Sequence, residues 1–227
     1  MGLDIGSTAV KLVELSQTSS AGVQVENYAL EALPPGAVVE KKIANLQALG
    51  EAIRKAVTHS GTRVKHAATA VSGSVVITKV IAMAATLSDT EMEAQIRLES
   101  DQCIPYPLEE VNLDFDVLGP SASGSHLADV LLAASRRENL DDRVAALELG
   151  GLTATVIDVE AYTMESASRL LLGAGDEQRT LAVADLGATT VTLHVLHAGH
   201  SVYTWEQRFG SLRAHRRSSA VLSPGPH

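Results

Sequence analysis

The sequence predicts a mixed α/β fold organised around two copies of one short hairpin. Two observations carry that expectation. The stretch Gly2-Leu3-Asp4-Ile5-Gly6-Ser7-Thr8-Ala9-Val10-Lys11-Leu12-Val13 reads as strand, tight turn and strand, and Leu181-Ala182-Val183-Ala184-Asp185-Leu186-Gly187-Ala188-Thr189-Thr190-Val191-Thr192-Leu193 repeats the plan. Between the copies, strand-like alternation and helix-like spacing take turns along the chain. A chain of 227 residues that is 45% hydrophobic and 20% charged is long and apolar enough to bury a proper core.

The first hairpin has the chemistry of a phosphate site. Leu3 and Ile5 alternate before the turn, Val10, Leu12 and Val13 follow it, and Gly6 supplies the backbone freedom the turn requires. Ser7 and Thr8 bring two hydroxyls and several N–H groups into one concavity, and Asp4 aims a carboxylate at the same place. Such a nest suits a phosphate, and an acid beside it suits a hydrated Mg2+. Lys11 adds a compact positive charge able to reach phosphate oxygens, with a plain solvent-facing lysine as the other reading. One Asp-x-Gly-Ser/Thr turn is a common accident. Two suggest facing loops that hold a polyphosphate and its metal between them.

The remaining elements follow in order. A polar turn over 16–22 leads to a third strand in which Val23 and Val25 alternate with Gln24 and Glu26, and Leu33-Pro34-Pro35-Gly36 breaks the pattern. Over 40–59, Ile43, Leu46, Leu49, Ile53 and Val57 recur at helical spacing, predicting a helix that Gly61 ends. Two β-branched runs, 64–71 and 75–82, predict strands separated by Ser72-Gly73-Ser74. Ser88 and Glu91 are spaced as a capping box that opens a helix running to Cys103, and Pro105 and Pro107 stop it. Val111, Leu113, Phe115 and Val117 alternate with Asn112, Asp114 and Asp116, which predicts a strand buried on one face.

A Gly/Ser turn over 119–125 leads to a strand over 129–134. Ser135 and Glu138 then read as a second capping box, with Leu140, Val144 and Leu147 on one face of the next helix and Gly150-Gly151 closing it. A strand over 153–159 and a helix opened by Glu160 complete the approach to the second hairpin. Met164, Ala167 and Leu171 form the expected buried stripe of that helix, and 173–175 its end.

Composition excludes several classes. A net charge of -9, with no basic groove, argues against nucleic acid as the main partner. The single cysteine, Cys103, forbids an internal disulfide, points to a reducing compartment and reads as a small apolar helix residue. No apolar run approaches the roughly 18 residues of a membrane span, and the N-terminus lacks a signal-peptide plan, so a cytoplasmic protein is expected. His194, His197 and His200 recur every third residue, but residues three apart in a strand face opposite sides, so they read as exposed hairpin residues and not as a metal site. Glu109, Glu110, Asp114 and Asp116 read as a solvated strand face.

Three phrases carry a family resemblance: Leu3 through Lys11, Ile104-Pro105-Tyr106-Pro107-Leu108-Glu109-Glu110-Val111-Asn112-Leu113-Asp114-Phe115, and Asp158-Val159-Glu160-Ala161. They resemble the PilM family of type IV pilus assembly proteins, which belongs to the actin-like ATPase superfamily and is similar to the cell-division protein FtsA. The resemblance spans about 2–210. It implies an actin-like (ribonuclease H-like) subdomain 1A formed by 1–84 and 159–210, with an FtsA-type 1C subdomain inserted over 85–158. It also implies ATP and Mg2+, with Gly6, Ser7, Thr8 and Lys11 in the first phosphate loop and Gly187, Thr189 and Thr190 in the second. Asp4 and Asp185 would hold the Mg2+ through water. Glu160, at a strand-to-helix connection, is implied as the residue that positions the attacking water, beside the simpler reading of a helix-opening acid stabilised by the helix dipole.

The implied partner is the N-terminal peptide of the inner-membrane protein PilN and, through it, PilO and PilP. The resemblance thus implies a cytoplasmic scaffold, peripheral to the inner membrane through a protein partner, and at most a slow ATPase. The family's second lobe, with its adenosine-contacting loop, has no counterpart in this sequence. Beyond Phe209-Gly210, the segment 211–227 carries Arg213, Arg216 and Arg217 without an acid and keeps no periodicity, so it reads as a disordered or aberrant tail of a truncated chain. Two other functions stay open: a sugar-kinase-type phosphotransferase, which would need a sugar-binding loop with an acid as base, and a fragment that folds in part without binding nucleotide.

Overall fold

The computed structural model describes residues 1–18, 22–100, 104–171 and 179–208. Cys103, the helix end at 173–175 and the tail over 211–227 lie outside the described residues. The chain opens with β1 (Gly2–Ile5), β2 (Ala9–Gln17), β3 (Val23–Ala32), β4 (Val38–Val39), β5 (Lys42–Ile43), α1 (Leu46–Ser60) and β6 (His66–Val71). It continues through β7 (Val76–Ala84), α2 (Asp89–Ser100), β8 (Val111–Pro120), β9 (Leu127–Arg136) and α3 (Arg137–Leu149). It returns with β10 (Thr153–Val159), α4 (Glu160–Leu171), β11 (Thr180–Leu186), β12 (Val191–His197) and β13 (His200–Gln207). Two compact units result: Met1–Ala70 together with the chain from Val144 onward, and Val71–Arg143.

In the first unit, a five-stranded sheet has the order β10-β6-β1-β2-β3, and a three-stranded sheet has the order β11-β12-β13. Inward residues of β1, β2 and β6, namely Leu3, Val10, Leu12 and Ala67, are buried with Leu49, Ile53, Ala56 and Val57 of α1 in one core. The spacing that predicts α1 is therefore the spacing that packs it. Its start is set by Asn45, whose side chain accepts from Ala48 N at 3.0 Å, and its end by Gly61 at φ 72. The chain after α3 lies very close to α1: a Cβ on Gly150 would fall 2.3 Å from Ile53 Cγ2, and one on Gly50 would fall 2.5 Å from Leu149 Cβ.

The helix expected from residue 40 begins at Leu46, because 38–43 forms the β4–β5 hairpin instead. Glu40 and Lys41 turn the chain at φ 51 and 64, and Ala37 O accepts from both Ala44 N and Asn45 N. Ile43 shares the helical spacing by coincidence.

In the second unit, β9 lies between β7 and β8, antiparallel to both. Met92 and Ile96 of α2 cover Met83, Val130 and Leu132. The first capping box is present: Ser88 N donates to Glu91 Oε2 at 2.9 Å, and Ser88 Oγ accepts from Glu91 N at 3.4 Å. The second is not. Ser135 is the buried penultimate residue of β9, its hydroxyl donates to Val75 O at 2.9 Å, and α3 starts two residues later without it.

Strand pairing accounts for the division of the two units at Val71 and Arg143. β7 pairs with β9 along its whole length and so belongs with the second unit, whereas β10 joins the five-stranded sheet of the first. Sequence periodicity identifies a strand but not its neighbour. Of the stripe expected on α4, Met164 is half-buried, Ala167 is exposed and the Leu171 side chain lies outside the described residues; among the described side chains of the helix Ser168 is the buried one. Polar contacts dock this helix: Glu165 Oε2 accepts from Ser201 N at 2.7 Å, and Arg169 Nε donates to Gly199 O at 3.1 Å.

Candidate functional site

The two Asp-x-Gly hairpins have one geometry. Asp4 pairs with Lys11 and Ile5 with Val10 across β1–β2, and Asp185 pairs with Thr192 and Leu186 with Val191 across β11–β12. Each turn is therefore four residues, 6–9 and 187–190, entered by a glycine. A Cβ on Gly187 would lie 2.9 Å from Thr190 O, so that turn closes too tightly over its glycine for a side chain, and one on Gly6 would make a tight contact of 3.1 Å with Ala9 O. The first turn is tied further by Gly6 N donating to Ala9 O at 3.0 Å and Leu33 N donating to Thr8 O at 2.8 Å.

These turns meet. Ser7 Oγ and Thr189 Oγ1 are 2.7 Å apart, joined by a hydroxyl–hydroxyl hydrogen bond. Beside them Lys11 Nζ donates to Asp4 Oδ2 at 2.9 Å, with both side chains more than half exposed. The hydrogen bond to Asp4 raises the Lys11 pKa; partial burial opposes it, and the charges of Asp4 and Asp185 reinforce it. The two carboxylates thus act on one ammonium. An exposed pair of this kind contributes at most about 1 kcal/mol, so these charges stay available to a ligand.

Glu160, at the start of α4, has a partner that sequence reasoning missed. Lys41 Nζ lies 2.8 Å from Glu160 Oε2 and 2.7 Å from Glu206 Oε2 of β13, with its own side chain only 17% exposed. Burial favours the neutral amine, but the two carboxylates outweigh it and hold the Lys41 pKa above the usual lysine value. Glu40, next to Lys41, pairs with Arg208. His194 sits in the same field. It is buried, not exposed as expected, and burial lowers its pKa against the opposing pull of Asp185, Glu160 and Glu206. The signal for Lys41 was the pattern Val38-Val39-Glu40-Lys41-Lys42-Ile43, weak because neither turn residue is Gly, Asn or Asp.

Among the described residues, no three or more His, Cys, Asp or Glu side chains gather tightly enough to cage a metal ion. His197 and His200 are exposed, and His197 Nδ1 lies 3.0 Å from Thr180 Oγ1. Two separate carboxylates, one ammonium, clustered hydroxyls and two tightly closed glycine turns fit a polyphosphate with a cation that keeps much of its water, as Mg2+ does.

A five-stranded sheet with a second hairpin sheet beside it, joined at matched Asp-x-Gly turns, is the actin-like ATPase fold. EutJ, the ethanolamine utilization protein of Carboxydothermus hydrogenoformans, shares that fold at a TM-score of 0.52 and 14% identity over 98% of this chain and 57% of its own. The cytoplasmic domain of EpsL, an inner membrane component of the Vibrio cholerae type II secretion system, shares it at 0.51 and 15% over 98% of this chain and 74% of its own. A chain of the PilM-PilN type IV pilus biogenesis complex matches at a TM-score of 0.78 and 29% identity over 97% of this chain. The family model for type IV pilus assembly protein PilM matches residues 2–217, and the chain belongs to that family. It spans 65% of the length of the matched chain in the PilM-PilN complex. No described helix is long and apolar enough to cross a membrane.

Proposed function

We propose that the chain is an ATP–Mg2+-binding scaffold of type IV pilus assembly that docks the N-terminal peptide of PilN on the cytoplasmic side of the inner membrane. The observation that carries nucleotide binding is the 2.7 Å contact between Ser7 and Thr189, which sets both glycine turns against one small volume. In this reading Gly6, Ser7, Thr8 and Lys11 form one wall of the phosphate site and Gly187, Thr189 and Thr190 the other. Asp4 and Asp185 receive the hydrated Mg2+, which supplies charge neutralisation between the phosphates. Glu160 orients a water toward the terminal phosphate, and turnover is at most slow.

Membership of the PilM family, together with the likeness to a chain solved as a PilM-PilN complex, supports PilN as the partner; in this reading the docked peptide joins the chain to PilO and PilP. We assign Met1–Ala70 with the chain from Val144 to subdomain 1A, and Val71–Arg143 to the FtsA-type 1C insert. Calorimetric titration of ATP in Mg2+ and again in excess chelator tests the nucleotide site. Binding that requires Mg2+ is expected, and equal affinity in both buffers refutes it. Capture of the chain by an immobilised PilN N-terminal peptide tests the partner.

A further inference from the structure

β4 and β5 are two residues each, too short to hold a hairpin by their own ladder, yet their turn places two successive non-glycine residues, Glu40 and Lys41, at φ 51 and 64. The left-handed region is strained for such side chains, and strain of this kind persists where the surroundings over-determine it. The turn delivers the Lys41 ammonium into a nearly closed position, within 2.8 Å of both Glu160 Oε2 and Glu206 Oε2. Glu40 pairs with Arg208 at the end of β13, so both tip residues grip the same strand end.

We infer that Lys41 is a brake on hydrolysis: it holds the Glu160 carboxylate in an ion pair, and Glu206 sets the strength of that hold by sharing the ammonium. The inference rests on the nucleotide-binding reading above and on Glu160 as the residue facing the attacking water. In the hydrolytic step Glu160 orients the water and takes its proton as the water oxygen bonds to the terminal phosphorus. The bond from that phosphorus to the bridging oxygen breaks, leaving ADP and inorganic phosphate. A carboxylate with one oxygen committed to a largely enclosed ammonium is a poorer proton acceptor and has less freedom to turn toward water. Lys41 stays charged in this setting, because its two acidic partners outweigh the effect of burial. The arrangement suits a scaffold whose bound state has to outlast many encounters with its partner.

Variants in the full chain separate a brake from a strut. Lys41→Met releases Glu160, so single-turnover hydrolysis of ATP–Mg2+ should rise about tenfold with nucleotide affinity little changed. Glu206→Gln leaves the ammonium to Glu160 alone, so hydrolysis should fall about threefold. A strut predicts the same direction for both variants, since Lys41→Met loses both ion pairs and Glu206→Gln loses one of them. Turnover in Lys41→Met at or below that of the unaltered chain, or both variants moving together, overturns the brake. Where Lys41→Met fails to fold, Glu206→Gln still decides: turnover at or above that of the unaltered chain refutes the proposal. In the unliganded chain, amine acylation should label Lys41 far more slowly than exposed Lys42, and equal labelling refutes the clamp itself. Absence of any ATP–Mg2+ binding overturns the functional reading and the brake together, whereas binding with unaltered turnover in the variants overturns the brake alone.

Discussion

Ser7 Oγ and Thr189 Oγ1 stand 2.7 Å apart although 182 residues of chain separate them. A hydrogen bond between two exposed hydroxyls contributes on the order of 1 kcal/mol, too little to hold two sheets together. Its meaning is geometric: the sheets bring two turns of the same construction to one point. The chemistry at that point then depends on what each turn carries, and the carboxylates of Asp4 and Asp185, from two different strands, both act on Lys11 of a third.

Asp185→Ala removes one of the two carboxylates acting on Lys11. The side chain is exposed, so the melting temperature should stay close to that of the unaltered chain. Mg2+-dependent ATP affinity should fall by about tenfold or more, as expected for losing a charged contact of roughly 1.5–3 kcal/mol. Unchanged affinity in a calorimetric titration would sink the assignment of the second turn.

Gly187→Ala tests the tight closure of that turn. Its Cβ would lie 2.9 Å from Thr190 O, a backbone atom that moves only if the turn opens, whereas a Cβ on Gly73 meets nothing within 4 Å. Gly187→Ala should therefore cost about 1–3 kcal/mol in urea unfolding, with Gly73→Ala near neutral as the control. Equal effects of the two substitutions would show that the turn yields freely.

Gly150→Ala probes the closest packing in the first unit. The added Cβ would fall 2.3 Å from Ile53 Cγ2 and 2.8 Å from Ile53 Cβ, and Ile53 is fully buried with no direction in which to retreat. A loss of about 3 kcal/mol or more is expected. Ile53→Ala alone should cost about 2–5 kcal/mol by cavity formation, but the double variant should lose less than the sum, because one change vacates what the other fills. Strict additivity in denaturant titrations would refute the clash.

What the sequence showed and what it hid divide along a physical line. Local rules worked where the determinant is local: Asp4 and Asp185 enter turns of identical register, Ser88 and Glu91 cap α2, and Gly61 ends α1 in the left-handed conformation. They failed where the determinant is a distant partner. Ser135 has the spacing of a cap, but Val75 O, 60 residues away, takes its hydroxyl. Ala167 fits an apolar stripe, yet α4 docks through Glu165 and Arg169, and among the described side chains of the helix Ser168 is the one enclosed. Lys41 was invisible because nothing near it in the sequence announces Glu160 or Glu206, 119 and 165 residues on. His194 was misjudged because alternation fixes which residues share a face, not which face is covered.

His194 gives the first unit a pH-dependent stability with a definite sign. The side chain is 4% exposed, and burial depresses its pKa more than Asp185, Glu160 and Glu206 raise it, with Lys41 helping to keep it neutral. As pH falls through the ordinary histidine range, the unfolded chain takes up a proton that the folded chain refuses. Stability present above about pH 6.5 is therefore lost progressively as the pH drops toward the depressed native value, and the loss stops once both states are protonated. The melting temperature should be lower at about pH 5.5 than at about pH 7.5. His194→Leu keeps an apolar group of similar bulk in the buried position and gives up only a long contact of 3.4 Å to Thr204 Oγ1, so it should flatten that slope while leaving the fold intact. An equally steep slope in His194→Leu would move the acid sensitivity to other groups. A slope of opposite sign would mean that the imidazole is charged in the folded state, a partner to Asp185 and Glu160 and not a desolvated neutral ring.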